Sequence, residues 1–286
     1  MAATFDRRIT PARPDLAAEH LRGALEATRF VAGAPMRIAD EVVDLRPAPR
    51  RDVGLDTQAL YGERVIVYEH DAEGWSWLQL ERDSYVGYLP SEALRPEAPA
   101  THRVRATRTF VYPAANMKTP ILMALPLNAE VNVSEVRGDF AEIEGVGFVW
   151  AGHLARLDAF EDDFVAVAER FLDVPYLWGG KTFCGLDCSG LVQVSLAAAG
   201  RRAPRDTDMM ARALGAELQV GDDLAGLERG DLVFWKGHVG IMRDALTLLH
   251  ANGHHMAVAS EPLREARDRI AAKSFGVITT IRRLPR

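Results

Sequence analysis

The chain has 286 residues, of which 48% are apolar and 26% charged, an ordinary globular balance that excludes a disordered chain. Lys and Arg number 34 against 40 Asp and Glu, a formal net charge of −6, so there is no basic footprint for nucleic acid or an anionic membrane. No apolar run reaches the roughly 18–20 residues of a membrane-spanning helix, and at roughly 100–200 residues per domain the length predicts two or three domains.

The opening segment, MAATFDRRITPARPDLAAEH, is broken by charges and prolines before an apolar stretch of roughly 7–15 residues can form. No secretory signal or lipidation pattern is read there, and a cytoplasmic location is expected. Residues 1–35 are expected to form an N-terminal extension with one short amphipathic helix on Leu16, Leu21 and Leu25, punctuated by Gly33 and Pro35. From Met36 to Leu157 the texture is that of short strands. Arg64–Tyr68, Trp75–Leu80 and Tyr85–Leu89 read as strands, with a turn at Asp71–Gly74. The pattern recurs: Glu63-Arg-Val-Ile-Val, Trp77-Leu-Gln-Leu, Val86-Gly-Tyr and Leu94 are echoed by Glu130-Val-Asn-Val, Phe140-Ala-Glu-Ile, Val146-Gly-Phe and Leu154. Two such runs predict two small all-β barrels, over residues 36–97 and 98–157, joined at the Arg95-Pro-Glu-Ala-Pro-Ala100 stretch.

After Leu157 the period becomes helical. Helices are predicted over Glu161–Leu172 and Cys188–Ala199, the second stopped by Gly200. Strands follow at Asp231–Trp235, His238–Met242, Leu246–Ala251, His255–Ala259 and Val277–Arg282, with a helix over Arg264–Lys273. Helices followed by an antiparallel run of strands define an α+β domain over residues 158–286.

The two cysteines, Cys184 and Cys188, are too few for a disulfide framework. Cys188 stands where a glycine loop turns into a helix, and a helix N-terminus favours a thiolate and depresses its pKa. A thiolate nucleophile needs a base, and His238 in Gly237-His-Val-Gly-Ile241 opens a strand with glycines beside it. His250 in Leu249-His-Ala251 ends the next strand, where it can fix the tautomer of His238. The competing use of Cys184, Cys188, His238, His250, His254 and His255 is a metal site. A C-x3-C spacing in a glycine loop is not a paired C-x2-C framework, so no metal and no cofactor is expected. Cys184 is read as incidental, its nearness to Cys188 also allowing a redox-sensitive pair.

Taken together, Pro175-Tyr-Leu-Trp-Gly-Gly180, Asp187-Cys-Ser-Gly190, Gly237-His-Val-Gly-Ile241 and Leu249-His-Ala251 resemble the NlpC-type cysteine peptidases of the papain-like superfamily. The resemblance spans Asp158 to the C-terminus. It implies Cys188 as nucleophile, His238 as base and His250 as third polar member, acting on cell-wall peptides between γ-D-glutamate and a diamino acid. The Gly-Tyr and Gly-Phe steps resemble bacterial SH3-like domains. The whole architecture is similar to the γ-D-glutamyl-L-diamino-acid endopeptidases, or dipeptidyl-peptidase VI-like enzymes, in which two such domains precede the catalytic one. That group takes murein peptides with a free N-terminal L-Ala, which places the reaction in wall-peptide recycling.

In the same group Tyr176 lines the site and Asp187 and Ser189 hold the substrate amine. A buried ammonium needs an opposite charge, which Asp187 beside the nucleophile supplies. Glu63 and Tyr88 stand where the first SH3-like domain narrows the pocket. Thr207, after Pro204-Arg-Asp206, stands near a further polar substrate contact, with Met209-Met210 where the family often has glutamine. Two other readings remain open: a wall-peptide binding protein without turnover, and a papain-like amidase or acyltransferase on another substrate. The diamino acid and the oligomeric state are not assigned by the sequence.

Overall fold

Between turn glycines, the alternation of apolar and polar residues in Arg64–Tyr68 and Trp75–Leu80 builds strands whose alternate side chains enter a core. In the computed structural model, which describes residues 5–285, these become β2 (Arg64–His70) and β3 (Trp75–Leu80) of a five-stranded antiparallel sheet. Their companions are β1 (Ala34–Ile38), β4 (Val86–Pro90) and β5 (Leu94–Pro96), in the order β4-β3-β2-β1-β5. Ile38, Leu45, Val65, Leu78, Leu80 and Leu89 form its core. The Gly87 of the Val-Gly-Tyr step permits a close approach, since a Cβ there would lie 2.7 Å from Leu45 Cγ.

A second five-stranded sheet comprises β6 (Arg108–Tyr112), β7 (Met123–Pro126), β8 (Val133–Arg137), β9 (Phe140–Ile143) and β10 (Gly147–Trp150), in the order β7-β6-β10-β9-β8. Its separate core contains Val104, Val111, Leu125, Val131, Ile143 and Val149. Each copy of the sequence repeat closes in the same way, a strand running through a short 3-10 turn, Ser91–Ala93 or Ala151–His153, into a final strand. Glu130 ties the copies together, accepting from Arg37 at 3.0 Å and from Arg82 at 3.1 Å.

The helix expected in the N-terminal extension is absent among the described residues, and residues 1–4 of that extension lie outside them. Instead Leu16–Ala18 is a strand paired in parallel with Arg29–Val31, and only Glu19–Leu21 makes a single 3-10 turn. The reason is the surface it covers. Tyr68, Trp77 and Val86 present an apolar face, and Leu16 and Ala18 are buried against it. Pro11 and Pro14 hold the chain extended, and the Arg8 carbonyl accepts a hydrogen bond from the Val86 amide at 2.8 Å.

The chain divides into two compact units after Leu157. Among the described residues the second contains four α-helices: α1 (Phe164–Glu169), α2 (Cys188–Ala198), α3 (Thr207–Ala213) and α4 (Leu263–Lys273). Helix α1 is shorter than its periodicity predicts. Asp163 caps it by accepting from the Val165 amide, and tight turns take over from Arg170 to Asp173, which sits at φ +66°. The sheet is six-stranded and antiparallel, running Ala216–Glu217, β15 (Thr280–Arg283), β11 (Leu232–Trp235), β12 (His238–Met242), β13 (Thr247–Asn252) and β14 (Ala257–Pro262). Strand β14 starts and ends later than predicted, because a turn with Met256 at φ +52° absorbs His255. Helix α2 packs on β12 and β13. This is the α+β arrangement that the order of helices and strands implies.

Candidate active site

Helix α2 begins at Cys188 because Asp187 caps it, accepting from the Gly190 amide at 2.6 Å. Gly190 is required there, since a Cβ would lie 2.2 Å from the Gly180 carbonyl oxygen. The Asp187 carboxylate has further partners. It accepts from the Gly179 amide at 2.9 Å, from Ser189 Oγ at 3.3 Å, and from both terminal nitrogens of Arg205 at 3.0 and 2.7 Å. Arg205, only 1% exposed, also donates to Ser189 Oγ at 2.7 Å. These donors fill the roughly four lone-pair positions of a carboxylate, and a bidentate guanidinium neutralises its charge. Arg205 thus faces the carboxylate that the resemblance assigns to the substrate ammonium.

His238 and His250 meet because of register. With Ile241 opposite Leu249 and Met242 opposite Leu248, His238 on β12 and His250 on β13 share one face as diagonal neighbours. His238 Nε2 lies 2.8 Å from His250 Nδ1. Strand β14 repeats the step. His250 is opposite Ala259, and Glu261, two residues on, places Oε1 2.7 Å from His250 Nε2. Arg269 of α4 grips Glu261 with both terminal nitrogens, one at 2.6 Å. Phe275 stacks face to face on His238, with centroids 5.2 Å apart and planes 7° from parallel, and Trp235 flanks it at 5.6 Å.

Burial dominates the electrostatics. It pushes the Cys188 thiol up to about 12, with the Asp187 charge adding to it, although the amides of Val239 and Ser189 hydrogen-bond the sulfur. Burial pulls His238 down to about 3, and it lowers His250 despite the hydrogen bond to Glu261. At Glu261 burial works upward, but His250 and Arg269 outweigh it and hold the carboxyl down to about 2. The helix N-terminus was expected to favour a thiolate; burial and the Asp187 charge act against it. Alkylation of Cys188 by iodoacetamide is accordingly expected to climb steadily above pH 8 with no plateau below it. A plateau at pH 5–6, the mark of a preformed thiolate–imidazolium pair, would contradict this.

Tyr176 belongs to the same site. Its phenol is pushed upward by burial and then by Cys188 and Asp187, and its amide donates to the Met256 carbonyl. Thr207 opens α3, two residues after Arg205. Cys184 is exposed in the turn of the Lys181–Leu186 hairpin, whereas Cys188 is buried. Among the described residues no group of three or more His, Cys, Asp or Glu side chains is arranged to hold a metal ion.

Glu63 and Tyr88 lie in the first unit. Glu63 is buried and accepts from the Leu60 amide at 3.0 Å, with Arg82 at 3.5 Å. Tyr88 accepts from Arg13 at 2.9 Å. Tyr88 is opposite Trp77, which is opposite Glu69, so six residues of strand, about 20 Å, separate the Glu63 and Tyr88 levels.

Arg205, Glu261 and Arg269 were not anticipated. Arg205 sits in a Pro-Arg-Asp loop whose composition reads as solvated. Glu261 fell two residues beyond the strand drawn at His255–Ala259, and a later start for β14 would have put it on the face of His250.

Residues 173–271 match the NlpC/P60 family and residues 45–94 match the bacterial dipeptidyl-peptidase SH3 domain. The γ-D-glutamyl-L-lysine dipeptidyl-peptidase of Bacillus subtilis (strain 168) is 29% identical over 222 residues, 69% of this chain and 72% of that protein. Dipeptidyl-peptidase 6 of Lysinibacillus sphaericus is 30% identical over 102 residues, 36% of each. An NlpC/P60 family protein from Bacillus cereus ATCC 10987 superposes with a TM-score of 0.72 at 19% identity, over 88% of this chain and 100% of that one. It shows that the fold is shared.

Proposed function

We propose that this chain, which carries an NlpC/P60 peptidase domain behind a bacterial dipeptidyl-peptidase SH3 domain, is a cysteine peptidase that cuts the γ-D-glutamyl bond to a diamino acid in wall peptides. The observation that carries the reading is Cys188 at the start of a helix packed on the two strands that align His238 and His250. The names of the Bacillus and Lysinibacillus relatives support release of an N-terminal dipeptide. A preference for a free N-terminal amine would suit the turnover of wall peptides already released from their glycan.

In the reaction His238 takes the Cys188 proton as sulfur bonds to the γ-carbonyl carbon. The tetrahedral oxyanion is met by the backbone amide of Cys188. The imidazolium then gives its proton to the departing diamino-acid nitrogen, the C–N bond breaks, and a thioester remains. Water, deprotonated by His238, attacks the thioester; the new carboxylate leaves and the thiol recovers its proton. Tyr176, Ser189 and Thr207 contact the dipeptide side of the scissile bond. Asp187 acts through Ser189 and the helix cap, and its charge is shared with Arg205.

The test compares L-Ala-γ-D-Glu-diaminopimelate, the L-lysine peptide and their N-acetylated forms, with Cys188→Ala as control. Cleavage of the free peptides is expected to exceed that of the acetylated ones by about 10²-fold or more and to vanish in the control. Equal cleavage of both forms would remove the dipeptide-releasing reading. Turnover undiminished in Cys188→Ala, or absent from the native protein, would overturn the cysteine-peptidase reading.

A further inference from the structure

Glu261 and Arg269 lie behind His250, on the side away from His238, and nothing in the reaction above uses them. The geometry points to Glu261, clamped by Arg269, as the positioning residue that dictates which ring nitrogen of His238 is the base. The inference rests on the reading of His238 as base, and its primary measurement needs no substrate.

The argument is a count of donors and acceptors. An ionised carboxylate can only accept. Arg269 holds Glu261 in that form with two charge-assisted hydrogen bonds, so His250 Nε2, 2.7 Å from Oε1, must carry a proton and donate. Neutral imidazole has one N–H, so His250 Nδ1 is bare and accepts. Its partner at 2.8 Å, His238 Nε2, must then donate. The remaining nitrogen of His238, Nδ1, is left with the lone pair that takes the thiol proton. Three strands thus pass one instruction along successive diagonals of a single sheet face. A neutral glutamine at 261 can donate as well as accept, so it would allow the opposite tautomer of each ring and put a proton on His238 Nδ1.

Glu261 acts on charge as well as on tautomer. When His238 becomes imidazolium, the carboxylate lies one ring away, and it raises the proton affinity of His238, opposing burial, His250 and Arg269. The groups facing Glu261 are His250, Arg269 and His255, the last with Nδ1 at 3.9 Å. Removing the carboxylate charge weakens proton binding at His238. The acid limb of kcat/KM, along which His238 is lost to protonation, should therefore move to lower pH.

The test is nitrogen-15 NMR of the histidine side chains in the full chain bearing Cys188→Ala, with and without Glu261→Gln, beside kinetics of Glu261→Gln in the active protein. With Glu261 present, His238 is expected as the Nε2–H tautomer with bare Nδ1. With glutamine, that signal is expected to give way to a mixture. Activity should then fall about 10²-fold in kcat with KM held within about twofold, and the acid limb should move down in pH. Arg269→Gln, which leaves Glu261 in place but removes a cation that opposes protonation of His238, should give the tautomer mixture and the loss of kcat in smaller measure and move the acid limb the other way, up in pH. A proton on His238 Nδ1 in the Glu261 protein would overturn the proposal. So would unchanged tautomers and an unchanged acid limb in Glu261→Gln, even alongside a lower melting temperature. If no peptide is cleaved at all, the NMR result still decides the tautomer, separately from the proposed reaction.

Discussion

Arg205→Met is expected to destabilise the second unit by about 3–5 kcal/mol, the cost of leaving a buried charge without its partner. The Asp187 side chain is only 10% exposed and the Arg205 side chain 1%, so water cannot replace the guanidinium. Asp187 also caps α2 and holds the Gly179 amide, so its displacement loosens the turn that presents Cys188. For a unit of this size the melting temperature should fall by about 10–20 °C. Arg205→Lys keeps the charge but loses the fork that bonds both carboxylate oxygens and Ser189 Oγ, and should fall between methionine and native. The decisive comparison is the double variant Arg205→Met/Asp187→Asn. If the cost is that of an orphaned charge, removing the carboxylate should recover part of it, giving a coupling energy of about 1–3 kcal/mol. Additive losses in calorimetry would mean that the two side chains act independently and that this account of the pair is wrong.

The pair also shows where reading residues one at a time runs out. Asp187 was legible as an acid beside the nucleophile, and its charge suggested a ligand of opposite sign. The partner that meets that charge is eighteen residues away along the chain, in a loop whose Pro-Arg-Asp composition carries no burial signal. Hydrophobic period identifies which faces turn inward, but it is silent on a cation that goes inward to satisfy an anion. The histidines were easier, because each sits in a short apolar strand whose alternation fixes its face, and consecutive antiparallel strands bring equal faces together. The N-terminal segment failed for the opposite reason. Leu16 and its alanines satisfy a helical spacing, yet the apolar outer face of the first sheet stabilises them as an extended strand, a tertiary effect that local pattern does not contain. The repeat of short strands was legible because turn glycines and alternation are both local.

His238→Ala is expected to lower kcat/KM by about 10³-fold or more while leaving peptide binding near its native strength, since it removes the only base assigned to the thiol. With the Cys188 thiol pushed up to about 12, little thiolate exists at neutral pH to substitute for that base, so residual activity should rise with pH toward the thiol's own ionisation. His250 separates orientation from proton transfer. In His250→Ala the His238 Nε2–H loses its acceptor and the ring can take either tautomer, so a loss of about 10²–10³-fold is expected with a pH profile of unchanged shape. His250→Asn can still offer a carbonyl oxygen to His238 Nε2 and should retain more activity than alanine. Because Phe275 continues to stack on His238 in either variant, the ring stays in place, and the difference between asparagine and alanine reports the hydrogen bond itself. Equal activity in His250→Ala and the native protein would remove the orienting role of His250, and with it the path by which Glu261 reaches the base.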